Sequence, residues 1–198
     1  MEPTNKEWKG KLVFEFISIV FAVFLGLMLN QCSDNYNNKK TAKKSLANIL
    51  VEIKDNKGKV EKMLEKHKKV LENIDRFLAE MDSGREPDGA NLDMDFVLIT
   101  STAWETAKLT QAIAHMDIGL VSDIAGTYGY QEYYEAVVKH FVLENSMEMK
   151  LDAHDDDIVK IKRVVQNVRS FLKRSVIPLE TDLLDAYNEL HITILKGG

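Results

Sequence analysis

The sequence predicts an all-α protein with an N-terminal transmembrane helix, a long coiled-coil stalk helix and a distal helical bundle. Three observations lead there. One apolar run is about as long as a bilayer core is thick, a heptad repeat follows it, and no segment alternates with the period of two expected of a half-buried strand.

Residues 12–29 read LVFEFISIVFAVFLGLML, with Glu15 the one charged residue among eighteen. At about 1.5 Å per residue the run is about 27 Å long, against a hydrocarbon core of about 30 Å. Lys6, Lys9 and Lys11 would suit the charged head of a signal peptide. However, the run exceeds the usual limit of about 15 residues for such a segment, and no A-x-A-like cleavage site follows. Leu29-Asn30-Gln31-Cys32 resembles a lipoprotein cysteine only superficially, because Asn30 and Gln31 stand where small residues are expected. The expectation is a tail at 1–11 and an uncleaved transmembrane helix at 12–30.

At about 100° per residue, Glu15, Ser18, Ile19, Ala22, Gly26, Leu29 and Asn30 share one face of this helix. The opposite side, from Val13 to Met28, is uniformly apolar and mostly bulky, which suits lipid. Small residues at steps of four let helices approach closely within a membrane, so Ser18, Ala22, Gly26 and Asn30 predict self-association. Glu15 has two readings. It reaches the headgroups or pairs with Lys11, or it faces a bundle interior and works there.

Charge is uneven along the chain. Residues 1–69 hold 14 Lys+Arg against 8 Asp+Glu, and the remainder holds 12 against 23. Lys39, Lys40, Lys43 and Lys44 follow the apolar run and oppose the three lysines before it, a narrow vote for a cytoplasmic C-terminal domain at a bacterial inner membrane. These lysines suit anionic headgroups. They suit nucleic acid less well, since Tyr36 is the only nearby aromatic residue for stacking. A single cysteine, Cys32, excludes an internal disulfide.

The stalk is expected at 34–81. Leu46, Leu50, Ile53, Lys57, Val60, Leu64, His67, Leu71, Ile74, Leu78 and Met81 alternate steps of four and three. Ile49, Met63, Val70 and Phe77 widen the stripe, so this helix should meet more than one neighbour. Lys57 and His67 on the seam read as register-setting or snorkelling residues, and Gly58 as the weakest point. A glycine- and proline-bearing acidic loop, 82–95, then separates the stalk from the bundle at 96–198.

Within the bundle, Thr102 and Glu105 have the spacing of a capping box and open a helix to about Met116. A second helix carries Val121, Ile124, Tyr128, Tyr134, Val138 and Phe141, with Gly126 and Gly129 marking a kink or a close contact. A third carries Ile158, Ile161, Val165, Val168 and Leu172. Pro178 opens a fourth, with Leu179, Leu183, Ala186, Leu190 and Ile194 inward.

Chemistry is sparse. The chain has no phosphate-cradling Gly-rich loop, no H-E-x-x-H and no G-x-S-x-G, so no catalytic residue, enzyme activity or cofactor is assigned. Asp152, His154, Asp155, Asp156 and Asp157 are of metal-ligand type, but acids in the first turn of a helix near Ile158 account for them through its dipole, and no metal is assigned. Trp104 and Glu105 read as a core tryptophan beside a capping glutamate, or as a ligand or subunit contact. Tyr128, Tyr130, Tyr133 and Tyr134 read as partly core and partly surface, or as an interface.

These residues also carry a resemblance. Glu15 and Asn30 bracket the span, Leu46-Ala-Asn-Ile49-Leu-Val-Glu52-Ile53-Lys-Asp-Asn56 follows, and Ser101-Thr-Ala-Trp104-Glu105 precedes Tyr128. With them the chain resembles an uncharacterised family of small bacterial single-span helical membrane proteins. Its span ends in Asn30-Gln31-Cys32 where that family has Asn-Asn-Trp. The general design is also similar to membrane effectors of bacterial anti-phage defence, an analogy of architecture. The span's face, the stalk and this analogy together lead to the expectation of a homo-oligomeric membrane effector: an ion channel or pore, ringed by Glu15 and Ser18 and packed through Ala22 and Gly26, gated by its helical domain on a nucleotide, oligonucleotide or protein signal. The alternative is a membrane-tethered scaffold or partner-binding module without a pore.

Overall fold

The computed structural model describes residues 5–85, 89, 92, 94–145 and 158–197, with side chains from Phe14 onward except at 144, 145 and 197. Five α-helices account for most of them: α1 (Asn5–Asp82), α2 (Thr102–Leu109), α3 (Ile118–Asn145), α4 (Ile158–Phe171) and α5 (Ile177–Gly197). A 3-10 turn at Ala112–His115 lies between α2 and α3, and among the described residues there is no strand. The side chains of Lys6, Lys9 and Lys11 and the acidic cluster at 152–157 lie outside the described residues.

α1 is a single helix of 78 residues, about 117 Å at about 1.5 Å rise per residue. No proline interrupts it, and Gly58 is accommodated without a break. Its N-terminal part is long and apolar enough to cross a membrane. From Phe14 to Thr41 every side chain is exposed except half-buried Asn38.

From Ala42 the character of α1 changes. Ala42, Ser45, Ile49, Ile53, Asn56, Val60, Leu64, His67, Val70, Ile74, Phe77 and Leu78 are buried. They pack against α5, α2, α4 and the 3-10 turn of the same chain. The stripe therefore keeps the expected positions Ile53, Val60, His67 and Ile74, but Asn56 is buried where Lys57 was expected on the seam. Residues 49–78 share one hydrophobic cluster with residues 99–194, so the break at 82–95 does not divide the core.

α4 and α5 form one continuous rod, joined by a five-residue π-turn at Leu172–Val176. Pro178 explains the turn. It has no N–H to donate, and its ring would crowd the carbonyl four residues earlier, at Arg174, in a regular α-helix. The rod runs antiparallel to α1: His67 meets Glu180, Asp75 meets Arg169, and Asp82 meets Lys162 at 2.5 Å. Val176, Glu180, Leu183, Tyr187, Leu190 and Ile194 form its buried stripe, while Ile158 is exposed. α3 lies antiparallel to the rod, with Phe141 stacked on Phe171 at 3.5 Å between ring centroids. The result is a bundle of three long rods, with α2 laid on one side.

Candidate functional site

The two groups of candidate residues fall in separate regions. Glu15, Ser18, Ala22, Gly26 and Asn30 are all exposed on α1, below the bundle. A Cβ on Gly26 would meet nothing within 4 Å, and Asn30 Nδ2 donates to Asp34 Oδ2 at 3.1 Å. This face is therefore unused by the chain's own packing.

The second group separates into buried and exposed members. Trp104 is buried and stacks on Tyr128, with centroids 5.8 Å apart and planes 10° from parallel. Lys108 Nζ lies 5.5 Å from the Trp104 ring and pairs with Glu105 at 2.6 Å. Tyr128 and Tyr134 are buried, whereas Tyr130 and Tyr133 are 42% and 58% exposed on the other side of α3. The four tyrosines thus do not form one cluster, because Tyr128 and Tyr134 face the core while Tyr130 and Tyr133 are exposed. Gly126 and Gly129 mark no close approach within the chain, since a Cβ on either would meet nothing within 4 Å.

The expected capping box is absent. The N-cap of α2 is Ser101, with no side-chain cap bond, and α2 ends at Leu109, where Gln111 takes a left-handed φ of 57° ahead of the 3-10 turn. The cap comes from α1 instead. Glu52 Oε2 accepts the Ala103 backbone N–H at 2.9 Å, at the positive end of the α2 dipole. Its other oxygen accepts the Tyr128 hydroxyl at 2.6 Å.

Two further polar groups cross the core. Asn56 Nδ2 donates to the Thr100 carbonyl at 2.7 Å and to Gln131 Oε1 at 3.2 Å. Asn56 Oδ1 accepts from the Thr100 N–H at 3.1 Å, and Tyr187 OH donates to Gln131 Oε1 at 2.9 Å. Deeper along the bundle, His67 Nε2 lies 3.0 Å from the Asp95 carbonyl and His67 Nδ1 lies 2.8 Å from Glu180 Oε1. A carbonyl only accepts, so Nε2 carries a proton. Tyr134 OH also donates to Glu180 Oε1, at 2.9 Å. Glu180 Oε2 is buried without a hydrogen-bond partner among the described residues.

These polar groups latch the non-helical stretch 94–101 across α1. Burial, and the nearby carboxylates, push the hydroxyls of Tyr128, Tyr134 and Tyr187 well above the ordinary tyrosine range. Asn56, His67, Gln131, Glu180 and the three tyrosines are buried, and Glu52 is half-buried. Their chemistry is that of a fold-specifying network. Sequence reasoning did not single out Gln131, Glu180 and Tyr187, since one polar residue on an apolar stripe looks like an interruption of the stripe. Glu52 and Asn56 entered only through the short motifs quoted above, and the structure brings the two together with Ser101, Trp104 and Tyr128.

An open concavity of about 560 Å³ borders this network, lined by Asn48, Val51, Glu52, Asp55, Thr100, Thr102, Ala103 and Thr106, and two others lie along α3. One of about 470 Å³ is lined by Phe96, Val97, Leu98, Tyr134, Glu135, Val138, Lys139, Val142 and Leu143, and partial burial raises the Glu135 carboxyl above its usual range. A more polar one of about 360 Å³ lies between α3 and α5, with Ser122, Asp123, Thr127, Tyr130 and Glu189 on its walls. Among the described residues no group of His, Cys, Asp and Glu is arranged to hold a metal ion. No protein-family model, curated protein or solved structure matches the chain.

Proposed function

We propose that this chain is a single-span membrane protein: residues 12–30 cross the bilayer, and residues 42–197 form a cytoplasmic helical module, coupled rigidly to the span, that receives a partner. The observation that carries this reading is the contrast within α1. Its apolar part is wholly exposed, and the same helix continues without a break into a bundle whose core it helps to build. Leaving the twelve large apolar residues exposed between Phe14 and Leu29 in water would be heavily unfavourable, whereas acyl chains accept them. Copies would meet through Ser18, Ala22 and Gly26. The heptad stripe does not serve that role, since it is buried within the chain.

The test is co-flotation of the full chain with phosphatidylcholine vesicles. Cys32, the sole cysteine and exposed, reports orientation: it should resist a membrane-impermeant maleimide in intact spheroplasts and react after lysis. A chain that stays out of the vesicle fraction refutes the reading.

A second reading, a gated cation channel built from several copies, is favoured by Glu15 lying on the same free face as Ser18 and Ala22. It requires conductance in planar bilayers that changes in Glu15→Gln. It also requires loss of function when the span is replaced by poly-Leu, a change that a tethered module would survive.

A further inference from the structure

Lys39, Lys40, Lys43 and Lys44 surround the point where α1 enters the bundle. All four are exposed, and none makes an ion pair among the described residues. At about 100° per residue they occupy an arc of about 140° on the helix. Ala42, Ser45, Ile49 and Ile53, which carry the bundle, are centred about 150° away from that arc. The bundle therefore sits on one flank of α1 and the lysines on the other, the flank that also holds Ser18, Ala22 and Gly26.

Height along the axis matters next. The lysines stand about 15–22 Å beyond Leu29, and a headgroup layer is about 5–8 Å thick. An upright helix would hold them about 7–17 Å above the lipid surface, one to two Debye lengths of about 8 Å. Transmembrane helices commonly tilt by about 20°. A lean of that size toward the lysine flank lowers the ammonium groups by about 4 Å, which brings those of Lys39 and Lys40 well within a Debye length of the surface, and the bundle, being on the opposite flank, rises clear of the bilayer. A lean in the other direction would drive the bundle into it.

We propose that this lysine flank docks on the anionic phospholipid headgroups of the leaflet next to the bundle, so that lipid charge sets the tilt of α1 and the stance of the bundle. The proposal rests on the reading of residues 12–30 as a span. Lipid is favoured over nucleic acid because the lysines adjoin the span and lack interleaved aromatic residues.

The experiment places the full chain in nanodiscs of phosphatidylcholine alone, or of an equimolar mixture with phosphatidylglycerol, and measures lysine acylation by mass spectrometry. Lys39, Lys40, Lys43 and Lys44 should each react about fivefold more slowly in the anionic discs, and high salt should abolish the difference. Lys54, Lys59 and Lys62, farther along α1, should react alike in both. Equal rates at the four lysines in an inserted chain overturn the docking alone. Protection by a single-stranded oligonucleotide in phosphatidylcholine discs, without protection by anionic lipid, overturns it in favour of a nucleic-acid partner. A chain that does not enter phosphatidylcholine discs overturns the span reading, and this proposal with it.

Discussion

Raising the pH should unfold the bundle through its three buried tyrosines. Tyr128, Tyr134 and Tyr187 are each 2% exposed or less, and burial, reinforced by the field of nearby carboxylates, holds each hydroxyl in its neutral form. An unfolded tyrosine ionises near pH 10, with a pKa of about 10. The folded state thus binds these protons more tightly than the unfolded state. The stability they contribute is fully present below about pH 10 and is lost as pH rises toward the folded values. In that window each tyrosine contributes a slope of about −1.4 kcal/mol per pH unit, and three contribute about −4. Against a net stability of about 5–15 kcal/mol for a domain, two to three units above pH 10 suffice. Urea titrations of the full chain in detergent, followed by far-UV circular dichroism between about pH 9 and pH 12, should give this slope. Tyr134→Phe should reduce it by about one third, whatever that variant's stability at neutral pH. Two results would refute the reasoning: an unchanged slope in Tyr134→Phe, or tyrosinate absorbance from all six tyrosines appearing before helicity is lost.

The polar groups of the core give further expectations. His67→Leu should cost about 3–5 kcal/mol, because it leaves Glu180 buried with only the Tyr134 hydroxyl. The double variant with Glu180→Leu should cost less than the sum of the two single changes, by at least about 1 kcal/mol in a double-mutant cycle; strict additivity would mean the pair is not coupled. Asn56→Ala orphans both backbone groups of Thr100 and should lower stability by about 2–4 kcal/mol in the same urea assay. Gly58→Ala should raise it by about 0.5–1 kcal/mol, since an added Cβ meets nothing within 4 Å and alanine favours a helix.

Helix periodicity was legible because apolar burial writes it directly. Ile53, Val60 and Ile74 on α1, and Leu183, Leu190 and Ile194 on α5, were placed by spacing alone and are buried. Pro178 falls in the first turn of α5 as expected, but its neighbours do not reveal that a π-turn replaces a loop, because that choice depends on the rod packing along α1. The buried polar residues were hidden for a different reason. Asn56 and Glu180 satisfy partners 44 and 113 residues away, and no local rule reports a partner at that separation. The misplaced cap on α2 has the same origin. Thr102 and Glu105 have the right spacing, but a carboxylate from α1, Glu52, reaches the Ala103 N–H. The face of the span was legible as a pattern, and it stays a pattern, since nothing within one chain packs against it.

One consequence of α1 follows from helix mechanics. Residues 30–41 are exposed, apart from half-buried Asn38. Twelve residues of isolated helix are marginal in water, where about 12–15 are needed even for favourable sequences. This segment is nevertheless helical because it is nucleated from both ends, by the apolar run below and by the packed stretch from Ala42 above. Propagation then costs only the weak intrinsic terms of its asparagines and lysines. Such a linker transmits rotation and tilt between its ends while it remains helical. It is also the least reinforced part of α1, so a hinge introduced there, by Asn37→Pro, would uncouple the ends and leave the core contacts from Ile49 onward intact. A bundle that signals through the orientation of its span should lose function in that variant at undiminished stability, whereas a passive tether should keep both.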